Sequence, residues 1–215
     1  MVLVVGFAWG YDEIRELHGN VVAAGVQHGT QLLRLDHLLH LDWTSTLNRW
    51  LVGEHALGAV LSGYYVVMHL GMTALVLLVL WVHGPTYRRQ RNALIVLSLI
   101  GLVVYWLYPV APPRLLPGFH DTVRQHIPAA YSVEAAKANL YAAFPSLHMA
   151  WALWCGIALW LLSARRWVRV VAVAHPVVTA FTVLATGNHY VIDLFAGVAI
   201  VGIGYGAIAI AVVVR

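Results

Sequence analysis

Apolar residues in this chain gather into long runs separated by short polar connections. Runs at roughly 56–82, 92–111, 145–163, 168–186 and 190–214 each approach the ~20 residues that carry a helix across ~30 Å of hydrocarbon. Their length and near absence of charge predict membrane helices. Met1–Gly10 is apolar but too short to span alone, and it runs into Tyr11, Asp12, Glu13, Arg15 and Glu16. A first helix there must project from the bilayer or face lipid only in part. It has neither a basic leader nor a small-residue cleavage site, so it is expected to stay in the protein. Gln31–Leu41 differs: Leu32, Leu35, Leu38 and Leu39 recur at helical spacing beside Arg34, Asp36, His37 and His40, the pattern of an amphipathic helix in the membrane interface. The expected fold class is all-α: one membrane-embedded domain over residues 1–215, a polytopic bundle of about six transmembrane helices with an interfacial amphipathic helix.

Composition agrees, with 61% hydrophobic and 10% charged residues against roughly 25% charged in an average soluble domain. The net charge of +4 does not point to nucleic acid, because the cations form short clusters between apolar runs. Arg88, Arg89 and Arg91 fill one connection, Arg165, Arg166 and Arg169 another, and Arg215 ends the chain. The positive-inside rule makes these cytoplasmic. Strict alternation then puts the long polar connection, about 112–144, and the Gly187–Tyr190 turn together on the outer face of a cell membrane. The single cysteine, Cys155, lies inside an apolar run and is read as a packing residue.

The unusual chemistry sits at those outer helix ends. Asp193 is the only formally charged residue between Val170 and Val214, and ionisable groups within membrane segments mark function by default. His189 lies four residues earlier, one helical turn away, where its imidazole can donate to the carboxylate; a purely structural pair would look the same. Ala143-Phe144-Pro145-Ser146-Leu147-His148 precedes an apolar run and reads as a helix start with proline in its first turn. The amides there favour a phosphate, Ser146 can add a hydrogen bond, and His148 stands alongside. Tyr108-Pro109-Val110-Ala111-Pro112-Pro113-Arg114 ends a helix and presents an arginine suited either to snorkelling or to gripping phosphate.

In order, Pro-Pro-Arg, Pro-Ser-x-His and Gly-x-His-x-x-x-Asp resemble the type 2 phosphatidic acid phosphatase superfamily. Residues 142–148 and Thr186-Gly187-Asn188-His189-Tyr190-Val191-Ile192-Asp193 look like its inositol phosphorylceramide synthase, or inositolphosphotransferase, branch. The resemblance covers roughly residues 43–210 and implies a six-helix fold in which His189 attacks phosphorus, Asp193 orients it and His148 protonates the leaving oxygen. The broad family pattern has a lysine seven residues before the first-motif arginine and an arginine six before the third-motif histidine; here Leu107 and Val183 stand there. Arg114 is the matched cation, with Ser146, Asn188 and the amides of 145–147 as further phosphate donors.

The function expected is therefore a metal-independent lipid phosphatase or phosphotransferase, working through a phosphohistidine at the outer face. Water as acceptor gives a phosphatase, and an alcohol gives transfer of the inositolphosphotransferase kind. Its partners are a lipid phosphate substrate and membrane lipids, with no cofactor. A rival of another class is a non-enzymatic transporter or lipid-binding protein whose His189–Asp193 pair relays protons; such a relay should continue through the membrane as further ionisable groups. Asp36, His37, His40 and Asp42 are read as the polar side of the interfacial helix and not as a metal cluster. Trp43, Trp50, Tyr64 and Tyr65 are read as an aromatic belt, the tyrosines alternatively lining a cleft, and His69 and His175 as packing histidines.

Overall fold

The computed structural model describes residues 21–127 and 140–213, with side chains to residue 210. The predicted first helix from Met1, and His18, Lys137 and Arg215, lie outside them. Among the described residues eight α-helices follow in order: α1 Val21–Leu38, α2 Trp43–Val52, α3 His55–His83, α4 Tyr87–Leu107, α5 Thr122–His126, α6 Leu147–Leu162, α7 Arg166–Ala185 and α8 Val191–Val213. One 3₁₀ turn, Pro113–Leu115, lies between α4 and α5. Helices α3, α4, α7 and α8 are long and apolar enough to cross a membrane, with α6 a shorter apolar helix. The chain is an all-α polytopic membrane protein.

These helices are apolar on both sides. Their inner faces build one core from Val76, Leu80, Leu97, Trp154 and Ile200, in which the buried Trp154 indole donates to the Gln90 carbonyl at 3.0 Å. Their outer faces leave Leu70, Leu78 and Trp81 of α3, Trp106 of α4, Val170 and Val177 of α7, and Phe195 and Ile203 of α8 exposed. An apolar girdle of this extent is stable against hydrocarbon rather than water. Helices α6 and α7 approach at backbone distance: a Cβ on Gly156 would lie 2.4 Å from the Ala172 carbonyl oxygen, the small-residue contact that lets membrane helices pack closely.

Three helix ends depart from the expected ones. Helix α4 starts at Tyr87 and not at 92, so Arg88, Arg89 and Arg91 lie in its first turns instead of in a connection. Helix α4 stops at Leu107 and not at 111, because Pro109, Pro112 and Pro113 have no amide to continue the ladder. Helix α6 starts at Leu147 with Ser146 as N-cap, so Pro145 precedes the helix instead of occupying its first turn.

The amphipathic helix is longer than expected and more deeply docked. Helix α1 lies over the segment that follows α4: the Gly25 carbonyl accepts from the Ala111 amide at 2.9 Å, and His28 Nδ1 bonds the Pro109 carbonyl at 2.8 Å. A Cβ on Gly29 would sit 2.7 Å from both the Ala111 carbonyl and the Tyr190 hydroxyl. Asp36 is fully buried and does not belong to a solvated helix side, whereas His37 and Asp42 pair with each other near the surface.

Candidate active site

The α7–α8 turn is built from two helix-termination devices placed back to back. Gly187, at φ +70°, closes α7: its amide donates to the Leu184 carbonyl at 3.0 Å, and the Asn188 amide to the Val183 carbonyl at 2.9 Å. This is the paired bonding of a Schellman motif, whose left-handed residue is usually glycine. Helix α8 then opens at Val191, and the Asp193 carboxylate reaches back to accept the Tyr190 amide at 2.9 Å, one arm of a capping box. His189 is therefore held in the turn between the helices, not on α8 as the one-turn spacing predicts, yet its Nδ1 still lies 3.3 Å from Asp193 Oδ2.

Asp36 supplies the remaining helix cap. Its two oxygens accept the Val191 and Ile192 amides at 2.9 and 3.1 Å, so α8 starts against two carboxylates that also complement its dipole. Burial pushes the Asp36 carboxyl above its usual range, against those two amides, which favour the charged form.

The other two motifs converge on this turn. A parallel bridge joins the segment after α4 to the segment before α6, with the Val110 amide donating to Tyr141 at 2.7 Å and the Ala143 amide to Val110 at 3.2 Å. This places the Ala143 carbonyl 2.9 Å from His189 Nδ1. A carbonyl oxygen only accepts, so His189 carries its proton on Nδ1 and, when neutral, its lone pair on Nε2. Nε2 faces His148 Nδ1 at 3.3 Å, which must then be the donor. The Ser146 amide donates to the Asp193 carbonyl at 3.1 Å and ties the start of α6 to the first turn of α8.

Arg114 enters from the 3₁₀ turn, its amide bonded to the Gly187 carbonyl at 2.8 Å. The guanidinium pairs with Asp121 at 3.3 Å through Nε and donates through Nη1 to the Asn188 side chain. Asn188 in turn donates to Thr186 Oγ1 at 2.8 Å. Ser146 Oγ accepts from the Met149 amide at 3.2 Å, and the Leu147 amide donates to the Tyr105 hydroxyl at 3.4 Å. Of the amides of 145–147 expected to grip phosphate, Pro145 has no N–H to donate and those of 146 and 147 are spent inside the fold, while Asn188 bonds the arginine that would grip it. Burial pushes the His189 imidazole down to about 3, the Arg114 charge adding to the effect and the Ala143 hydrogen bond opposing it.

Arg114, His148, His189 and Asp193, spread over 80 residues of sequence, therefore meet at one end of the bundle. Residues 30–207 match the PAP2 superfamily. The chain belongs to that superfamily. No match was found among curated proteins or among solved structures. The PAP2 superfamily generally comprises phosphatases and related phosphotransferases, and a membrane-embedded PAP2 chain whose motif residues gather at a helix-end cluster fits an enzyme of lipid phosphates.

Several residues around this PAP2 site have no motif to mark them in the sequence. Tyr65 stacks on His148 with ring centroids 4.5 Å apart, and His69 packs against the same ring at 4.1 Å. Together with Tyr64, His175, Thr179 and Thr182 they line a cavity of about 10 Å³, room for roughly one water. Tyr64 bonds His175 Nδ1 at 2.8 Å and Thr179 at 3.0 Å. The tyrosines thus line an interior cleft, while Trp43 and Trp50 remain exposed. Polar groups accordingly continue from the turn into the bundle, beyond the single cluster at the helix ends. Asn48, fully buried, braces the site by donating to the His120 and Ala185 carbonyls at 3.0 Å each. The available signals were the i, i+4 spacing of Tyr65 and His69 and a lone amide on an otherwise amphipathic α2.

Proposed function

We propose that this protein cleaves a lipid phosphate ester through a phosphohistidine formed on His189 Nε2. The observation that carries the reading is the directional chain Ala143 carbonyl and Asp193 carboxylate, His189, His148, which leaves Nε2 unprotonated, its lone pair toward a proton donor. In the first half-reaction the Nε2 lone pair forms a bond to phosphorus, the ester P–O bond breaks, and the leaving alkoxide takes the Nδ1 proton of His148, which enters the step as imidazolium and leaves it as neutral imidazole with its remaining proton on Nε2. Asp193 stabilises the positive ring that results. Arg114, already oriented by Asp121 and Asn188, offsets phosphate charge. In the second half-reaction an acceptor hydroxyl returns its proton to His148 as its oxygen displaces Nε2 from phosphorus.

Water as acceptor makes the protein a lipid phosphatase, the reading we favour. An alcohol acceptor gives inositolphosphotransferase-type transfer, supported by the 142–148 and 186–193 motifs, and shares the first half-reaction. Chain direction sets the site at the helix ends opposite Arg88, Arg89, Arg91, Arg165, Arg166 and Arg169, which supports an outer-face site on a cell membrane. Arg114 and the histidine pair supply the charge and proton chemistry that a divalent metal would otherwise provide. The decisive experiment is rapid-quench trapping of an acid-labile, base-stable phosphoenzyme from a radiolabelled lipid phosphate. His189→Ala should abolish it, whereas His148→Ala should lose roughly 10²–10⁴ in rate and recover part of that with an activated ester. Persistence of the labelled species in His189→Ala refutes the assignment.

A further inference from the structure

His148 poses a problem that its hydrogen bonds do not solve. Among the described residues its ring makes one, to His189 Nε2, and that is the atom to which phosphorus must bond. When the phosphoryl group arrives this contact is replaced, and a histidine ring about its second side-chain torsion has only broad, roughly two-fold preferences. Something else must keep Nδ1 pointed at the leaving oxygen.

Helices α3 and α6 supply it. Tyr65 and His69 lie one turn apart on α3, and His148 and Trp151 nearly one turn apart on α6, so each pair shares a helix face. The four rings interleave: Tyr65 on His148 at 4.5 Å and 19°, His69 on His148 at 4.1 Å and 32°, and His69 on Trp151 at 4.4 Å and 14°. The far end is anchored, because the Trp151 indole donates to Ser98 Oγ on α4 at 3.0 Å, and Ser98 in turn donates to the Leu94 carbonyl at 2.7 Å. We infer that His69, with Tyr65, is a positioning residue that fixes the His148 ring by stacking while its hydrogen bond is broken during phosphoryl transfer. His69 exchanges no proton with substrate; its flat face and its anchorage on Trp151 are what the reaction uses.

The inference rests on the role proposed above for His148, and the test separates the two. Turnover of purified protein is measured on two esters, a lipid phosphate with an alkoxide leaving group and an activated aryl phosphate, for His69→Ala, His69→Phe, Tyr65→Leu and the unsubstituted protein. His69→Ala should lower kcat on the lipid phosphate about 10- to 100-fold with little change in KM, the scale of a misplaced catalytic group. On the aryl phosphate, which needs little protonation, the loss should shrink to about threefold or less. His69→Phe keeps a stacking ring and should restore most of kcat on the lipid ester. Tyr65→Leu should repeat the split between esters and serves if His69→Ala does not fold. Equal losses on both esters, or a His69→Phe protein as slow as His69→Ala, overturns the inference, the latter by showing that the imidazole nitrogens matter. Variants as fast as the unsubstituted protein overturn it too, while leaving His148 as the acid. An unsubstituted protein inactive on every ester refutes the catalytic reading itself and the inference with it.

Discussion

Replacing Asp36 by alanine should damage catalysis from a helix that carries no reacting group. The carboxylate is fully buried and accepts the first two amides of α8 at 2.9 and 3.1 Å. Removing it strands the buried Val191 amide, at a cost of about 1–3 kcal/mol, and the half-buried Ile192 amide, which costs less, while a lost helix cap alone costs about 0.5–2 kcal/mol. Relaxation of α8 toward other acceptors recovers part, so we expect about 2–4 kcal/mol, which for a chain of this size lowers the unfolding midpoint by roughly 5–15 °C. Asn at 36 keeps one acceptor and should lose about half as much. Catalysis should fall further than stability suggests, because Tyr190, His189 and Asp193 move with the start of α8, and a shift of about 1 Å at a reacting group costs about 10²-fold. The assay pairs thermal unfolding in detergent with phosphoenzyme formation, read below the midpoint of every variant. If Asp36→Ala leaves both unchanged, the carboxylate does not hold α8 and the capping account is wrong.

Gly187→Ala should destabilise the protein by about 1–2 kcal/mol, since φ is +70° and a Cβ would stand 3.0 Å from Asn48 Nδ2; an unchanged unfolding midpoint contradicts the turn geometry. The depressed His189 value, about 3, predicts that phosphoenzyme formation from an activated ester stays flat from pH 7 to pH 5. An ordinary imidazole near 6.5 would lose roughly 25-fold over that interval, and a loss of that size in a pH-jump experiment would show that His189 is not shielded. The linkage has a definite sign: from about pH 6.5 downward the unfolded chain takes up a proton that folded His189 refuses, so this group makes the fold less stable as pH falls toward 3.

Membrane helices are legible in the sequence because a run such as 56–82 answers to a single physical demand, the thickness of hydrocarbon, and α3 follows it within a residue at each end. The gathering of Arg114, His148, His189 and Asp193 was legible because each sits where a helix of known direction ends. Roles decided by long-range pairing were not. Asp36 reads as one polar residue among His37, His40 and Asp42 until α1 is laid over α8, 155 residues away in the chain. Tyr65 and His69 read as belt and packing residues because nothing local distinguishes a ring stacked on lipid from a ring stacked on His148. Ser146 shows the converse: its motif position suggested a ligand contact, while local backbone demand made it the N-cap of α6.

Helix α7 also acts as a ruler. Its 20 residues measure about 30 Å along the axis, one hydrocarbon thickness, with Arg165 and Arg166 at one end and the Gly187–Tyr190 turn directly at the other. Because the Schellman closure allows no slack between the helix and His189, the number of turns in α7 sets the depth of His189, the nucleophile of the proposed reaction. A lipid's phosphate is likewise held at a set height by its own headgroup and tails. Under the proposed function the bilayer itself brings His189 and the lipid phosphate to a common level, and a membrane thinner or thicker than α7 shifts the two out of register without touching a single residue of the site.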